Sequence, residues 1–382
     1  MANKYIIPEG TRDLVLEDCA CKKKIQKDLE CIFNKWGYEE VVTPTIEFYQ
    51  TFYNGFQNLK EEDVYKFFDA KGRILVLRPD MTIPIARVVA TKFKDVRKPL
   101  RLRYCADVFR VHESLGGKKN EYTDCGIELI GLYDNESDLE ILVTALDALK
   151  VLGDTEFKLE IGNINFFNSI VKNIELNEED INRLATLIDR KSLTELENFL
   201  EDFDMEESFK EFLKELPLLF GGREVLEKAK GFAINEEIRT NIAYLETLAN
   251  ALSNLGYEDK ISFDLGMVPR VDYYSGIIFK GYSDGVGATV LSGGRYDGLM
   301  KTFGKDMPAV GFSINLDNMA SVIERKNLNK EEVYKVYYSK KDELDVIKKA
   351  MLLREEGKIV ELCPKEGLET IEVEGVEKRI WV

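Results

Sequence analysis

One histidine, His112, stands in 382 residues, and that scarcity removes a whole class of chemistry. A multi-histidine metal site cannot be built from it, and a histidine-based triad has a single candidate member. The six cysteines (Cys19, Cys21, Cys31, Cys105, Cys125, Cys363) include no CxxC pair, so neither a zinc site nor a disulfide framework is indicated, and reduced, mostly packed thiols are expected. The chain has no run of about 18 apolar residues, and its start, MANKYIIPEG, lacks the charged beginning and apolar core of a signal peptide. A cytoplasmic protein is the expectation. The fragment Gly285-Val286-Gly287 lacks the third glycine and the strand-to-helix setting of a dinucleotide fingerprint. No metal and no cofactor is expected.

What is present is an apolar fraction of 45%, enough for a sizeable core, in a length that suits about two or three domains. The balance of 53 basic and 69 acidic residues gives a net charge of −16. That disfavours nonspecific adhesion to nucleic acid while leaving room for a local basic groove.

Apolar spacing predicts a long first helix over 13–36, closed by Gly37. A short β-branched strand follows at 39–43 and stops at Pro44. Strands at 64–69 and 73–77 read as a hairpin around Ala70-Lys71-Gly72, and helical spacing returns over 82–93. Residues 101–110 and 121–131 read as two strands joined by a basic loop, followed by a helix at 138–152 and a strand at 157–161. From about 163 to 255 the Leu/Glu/Lys-rich texture predicts an all-helical insertion. Strands resume at 261–265, 276–281 and 289–292, a helix follows at 315–325, and 334–382 reads as strand, helix, strand and one or two short strands. The expected class is α+β around an antiparallel sheet. The expected division is a body of 1–325 and a short α/β remnant of 326–382.

Four constellations carry chemistry. In LRPDMT, residues 77–82, Asp80 and Thr82 sit at a helix start, where an acid either caps backbone N–H groups or, with the hydroxyl, binds an ammonium. Arg110 on a strand, with Gly116-Gly117-Lys118-Lys119 beyond it, is either an arginine and a mobile loop for a polyphosphate or an arginine beside a solvated turn. Asp124 and Glu128, at i and i+4 on one strand, share a face and are costly to bury together without a cation or donors between them. Tyr273 and Tyr274, in MVPRVDYYSGIIF at 267–279, alternate faces and are either core aromatics or a phenol aimed into a cleft; the glycine-rich LSGGRYDGL follows at 291–299.

Taken together these segments resemble the histidyl branch of the class II aminoacyl-tRNA synthetases, from residue 7 to about 319. LRPDMT is similar to LRPEGT, the 101–131 hairpin to motif 2, DCGIE at 124–128 to QxGxE with aspartate for glutamine, and, aligned on DYY, MVPRVDYY at 267–274 to LVRGLDYY. The departures bear on function. The resemblance places the catalytic arginine at Pro269, with Arg270 one position along, and the arginine of motif 3 at Asn318, where AVGFSINLDNM replaces an ending in GLERL. His112 takes the acid position of the FRxE motif, with Glu113 one later. A neutral residue in place of a phosphate-binding cation costs on the order of 3 kcal/mol of barrier.

A synthetase-like body with altered activation residues and a curtailed C-terminal module is similar to the regulatory-subunit family of the short-form ATP phosphoribosyltransferases. The resemblance implies a non-catalytic protein that joins a short catalytic subunit, commonly four of each, in the first step of histidine biosynthesis and its inhibition by histidine. It also implies a homodimer through the first long helix. Asp80, Thr82 and Asp124 would then face the ligand's ammonium, with Glu128 and Tyr274 at its imidazole and Tyr273 beside them. Arg110, Lys118, Lys119, Arg270 and Arg295 are the candidate anion contacts. No membrane is expected as a partner, nor tRNA. The alternatives are a minimal histidyl-tRNA synthetase or other histidine-activating enzyme, and a scaffold with an empty pocket.

Overall fold

The computed structural model describes residues 6–55, 61–93, 99–112, 119–132, 136–268, 274–323, 333–338 and 343–364. They fall into two compact units, one drawn from residues 1–14 and 22–323, the other from 15–21 and 324–382.

Helix α1 spans Leu16–Lys35 and buries Ile25, Leu29 and Phe33 at helical spacing. It starts three residues later than its spacing suggests, at Leu16, whose φ of 46° is no right-handed helical angle. Strand β1, Glu39–Glu40, is shorter than expected. Beyond it the backbone is claimed by an arginine, since buried Arg78 donates from Nη1 to the Thr43 carbonyl at 2.9 Å.

The next elements form a small sheet. Strand β2, Ile46–Phe48, and helix α2, Tyr49–Gly55, were not legible from periodicity, because each is under three helical turns or four strand residues. β3, Lys66–Phe68, and β4, Ile74–Leu77, are the expected hairpin. Asp69 holds its turn by accepting from the Lys71 and Arg73 N–H groups at 2.8 and 2.9 Å. β2 adds to the other side of β4, giving the order β2-β4-β3.

After α3, Thr82–Lys92, come β5, Leu100–Phe109, and β6, Glu121–Ile130, a pair of ten-residue strands. α4, Glu136–Leu149, and β7, Phe157–Asn163, follow. The segment expected to be all-helical carries six α-helices: α5 Asn165–Val171, α6 Glu178–Asp189, α7 Leu193–Glu201, α8 Glu207–Glu215, α9 Glu224–Lys230 and α10 Glu236–Asn254. It also holds the two-residue strand β8, Phe220–Gly221. β8 adds to the edge of the large sheet through β9, Ile261–Asp264, a pairing too short to leave a pattern. β10, Ile277–Ser283, β11, Leu291–Arg295, helix α11, Asp297–Thr302, β12, Ala309–Asn315, and α12, Leu316–Val322, complete this unit.

The nine strands of the large sheet run β1-β5-β6-β12-β11-β10-β7-β9-β8. The expectation of an antiparallel sheet needs one correction. The six central strands are antiparallel throughout, but β1 joins β5 and β9 joins β7 in parallel. In each case a helix-containing connection intervenes between the two strands, which is what a parallel neighbour requires. No described helix is long and apolar enough to cross a membrane. In the second unit β13, Val333–Tyr338, and β14, Ile359–Pro364, pair in parallel around α13, Glu343–Glu355, over a small core of Val336, Val346, Ala350 and Val360. The further short strands expected after it lie outside the described residues.

Candidate functional site

The exit of β4 is fixed by Arg78, whose Nε donates to the Asp107 carbonyl at 2.8 Å, and by the Phe109 N–H, which donates to the Arg78 carbonyl at 3.0 Å. This sets Asp80 at the mouth of α3. Its Oδ1 accepts from the Ile83 N–H at 3.1 Å, so one oxygen caps the helix. Its Oδ2 is buried with no hydrogen-bond partner among the described residues. A buried carboxylate oxygen left unpaired is costly, and the cost disappears only with a proton or a donor.

Across from it β6 presents Asp124 and Glu128 on one face, both buried. Glu128 is held from two sides: Thr82 Oγ1 donates to Oε1 at 3.1 Å, and the Tyr296 hydroxyl donates to Oε2. Two glycines make room. A Cβ at Gly311, the cross-strand neighbour of Glu128 on β12, would lie 1.8 Å from Glu128 Oε2. A Cβ at Gly294 would lie 2.7 Å from Tyr274 Cε1, so the Tyr274 ring rests directly on the β11 backbone.

Charge in this space is unbalanced. Burial pushes the Glu128 carboxyl up to about 8, with the Tyr296 and Thr82 donors pulling the other way. Burial pushes Asp124 up to about 7; Arg110 opposes this, while the carboxylates of Asp80 and Asp317 add to it. Asp80 rises to about 6, again by burial and again opposed by Arg110. The phenols follow: Tyr122 is pushed up to about 12 by burial, and Tyr274 lies above its ordinary range through burial and the nearby Glu128 and Asp80. Two of these carboxyls, Asp80 and Asp124, therefore share one guanidinium, Arg110, whose Nε also donates to the Pro79 carbonyl at 2.8 Å. The arrangement can hold a cationic group that carries several N–H donors.

The structure thus gathers Asp80, Thr82, Asp124, Glu128, Tyr274 and Arg110. Tyr273, Arg270, Pro269 and Lys118 lie outside the described residues. Arg295 needs correcting as a candidate anion contact: Asp138, Ser137 and Asp297 engage its guanidinium in a largely buried network. Its neighbours along the chain, a glycine pair and Tyr296, gave no sign of an acid 157 residues away. Lys119 lies 3.7 Å from Asp317, at a second cluster. There Asp317 also pairs with Arg12, with Lys22 at 3.0 Å, and with the Thr123 N–H at 2.9 Å. Burial would raise its carboxyl, but the Thr123 N–H and these cations outweigh that and hold it below its usual range.

Sequence reasoning missed Tyr296, Tyr122 and the partners of Asp317. Tyr296 had a usable signal in its place within GGRYDGL, while Arg12 and Lys22 had none. A surface hollow of about 530 Å³ opens elsewhere, beside Phe157 and Tyr257. Its lysines face local acids, Lys150 with Asp147 at 2.8 Å and Lys260 with Glu156, and none of Asp80, Asp124 and Glu128 lines it.

Comparison with known proteins supplies the lineage. Residues 10–319 match the family described as histidyl-tRNA synthetase. An ATP phosphoribosyltransferase regulatory subunit of Clostridium botulinum is 42% identical over 341 residues, covering 88% of this chain and 81% of its own. One from Clostridium acetobutylicum is 39% identical over 382 residues, covering 99% and 94%. The crystal structure of an ATP phosphoribosyltransferase regulatory subunit/histidyl-tRNA synthetase from Bacillus halodurans C superposes with a TM-score of 0.85 at 32% identity, over 97% of this chain and 96% of that one. The fold is that of the class II synthetases, and the chain belongs to the ATP phosphoribosyltransferase regulatory subunit family within the histidyl-tRNA synthetase lineage.

Proposed function

We propose that, as a member of that family, the protein is the non-catalytic partner an ATP phosphoribosyltransferase catalytic subunit needs for the first step of histidine biosynthesis, and that histidine held in the carboxylate pocket brings about feedback inhibition. The observation that carries this reading is the buried Asp80 Oδ2, without a hydrogen-bond partner among the described residues, beside two further buried carboxyls. Histidine offers both groups such a site wants. Its ammonium would take Asp80, Thr82 and Asp124, and its imidazole N–H would take Glu128, with the Tyr274 phenol alongside.

Adenylation is argued against by what surrounds the activation positions. Asn318 is neutral, and its Nδ2 donates to the Thr289 carbonyl at 2.9 Å, so it offers no charge to a phosphate. Arg12, Lys22 and Lys119 face the internal carboxylate of Asp317 instead. Pro269 has no donor at all. Assembly is expected as a homodimer through α1, within a complex of four subunits of each kind in the cytoplasm.

The test is phosphoribosyl-ATP formation by a short-form catalytic subunit, with and without this chain, then with histidine added. Activation that histidine reverses is the expected result. No activation, together with histidine-dependent ATP–pyrophosphate exchange by this chain alone, would make it an enzyme and overturn the reading.

A further inference from the structure

Cys105 on β5 and Cys125 on β6 are direct cross-strand partners. The Arg110 N–H donates to the Asn120 carbonyl at 2.9 Å, which makes the 110–120 pair a hydrogen-bonded one. Bonded and non-bonded pairs alternate along an antiparallel ladder, so five residues further on the Cys105–Cys125 pair is non-hydrogen-bonded. At such positions the Cα atoms are about 4.5 Å apart and the side chains are at their closest. That separation falls inside the roughly 4.4–6.8 Å range that disulfides span. Both thiols leave the same face of the hairpin, opposite to Asp124, Gly126 and Glu128, and they share a hydrogen bond. Cys125 is fully buried and Cys105 is half-buried.

We infer that Cys105 and Cys125 are a reversible thiol–disulfide pair, a modification site on the back of the pocket strands that a low-molecular-weight disulfide closes. Solvent reaches Cys105, so the first attack is its own. Its thiolate bonds to one sulfur of the small disulfide, whose S–S bond breaks, and the departing thiolate leaves with the electron pair and takes up the proton Cys105 gave up. Cys125 is held protonated at the start, by its hydrogen bond to Cys105 and then by burial. Once Cys105 is capped that hydrogen bond is gone. Cys125 Sγ then attacks Cys105 Sγ, the mixed disulfide breaks, and the second small thiol departs with the Cys125 proton. Two protein thiols are oxidised and one small disulfide is reduced to two thiols. Nothing in this depends on the ligand of the pocket.

Exposed Cys19 and Cys31 provide the internal control. The full native chain would be treated with oxidised glutathione, alkylated, digested without reductant and mapped by mass spectrometry. Cleavage within 111–119 separates the two cysteine peptides unless a bond joins them. The expected result is a Cys105–Cys125 linked pair that dithiothreitol releases, with glutathione on Cys19 and Cys31. In Cys125→Ser, Cys105 should carry glutathione; in Cys105→Ser, Cys125 should stay unmodified. Glutathione on Cys105 of the unaltered chain with no internal bond, or reduced Cys105 and Cys125 while Cys19 and Cys31 are modified, would overturn the inference. The unaltered chain alone decides it, whatever the folding of the variants.

Discussion

At the scale of single residues the buried carboxyls Asp80, Asp124 and Glu128 store a pH dependence with a definite sign. Glu128 has a folded value of about 8 against an ordinary 4.5, so the folded chain keeps a proton the unfolded chain has released. Such a group favours the fold fully below its unfolded value and loses that contribution as pH rises through its folded one. Asp80, at about 6, and Asp124, at about 7, act in the same direction. Thermal unfolding of the ligand-free protein should therefore show a midpoint that falls between pH 3.8 and about 8, the stability dropping by at most about 1.4 kcal/mol per pH unit for each group. Glu128→Gln should flatten the upper part of that fall; an unchanged profile would mean that Glu128 is ionised in the folded state. Histidine binding near neutrality should also expel protons, so its calorimetric enthalpy should vary with the ionisation enthalpy of the buffer. Glu128→Ala should weaken that binding by about tenfold to a hundredfold, the worth of a charged hydrogen bond. These residues were legible one strand at a time, since Asp124 and Glu128 share a face by the period of the backbone alone. What the spacing left open was whether Asp80 is a cap or a ligand group; the structure uses one oxygen as a cap and leaves the other buried with no hydrogen-bond partner among the described residues.

At the scale of elements, the long periodic segments were readable and the short ones were not. α1 and α3 and the β5–β6 pair announce themselves because many residues repeat one pattern. β2, β8 and α2 are set by neighbours instead, β8 by a place at the edge of β9. The helices of the 163–255 segment rest partly on local signals that a sequence does display. Asn235 begins α10 by accepting from the Ile238 N–H at 2.8 Å. Asn235→Ala should lower stability by about 1 kcal/mol with no change in activation of the catalytic subunit, as read by denaturant midpoints beside the activity assay. A loss of activation at full stability would give this segment a part in the complex that its chemistry does not suggest.

At the scale of the whole molecule, what the chain alone determined was the order of its motifs, the faces its strands expose and the neutral residue at 318. These follow from composition and from periods of two and 3.6 residues, which neighbouring residues settle among themselves. Tertiary structure decided which groups meet. Thr82 reaches Glu128 across 46 positions and Tyr296 reaches it across 168. The pairing of β6 with β12 brings Gly311 of the later strand beneath the Glu128 side chain of the earlier one. It also decided charge, because a carboxyl's proton affinity depends on how much water the surrounding fold removes, and no residue's neighbours in sequence fix that. Arg295 and Asp317 make the same point: their types were plain in the sequence, but an ion pair is a distance, and distance between remote residues exists only once the chain has packed.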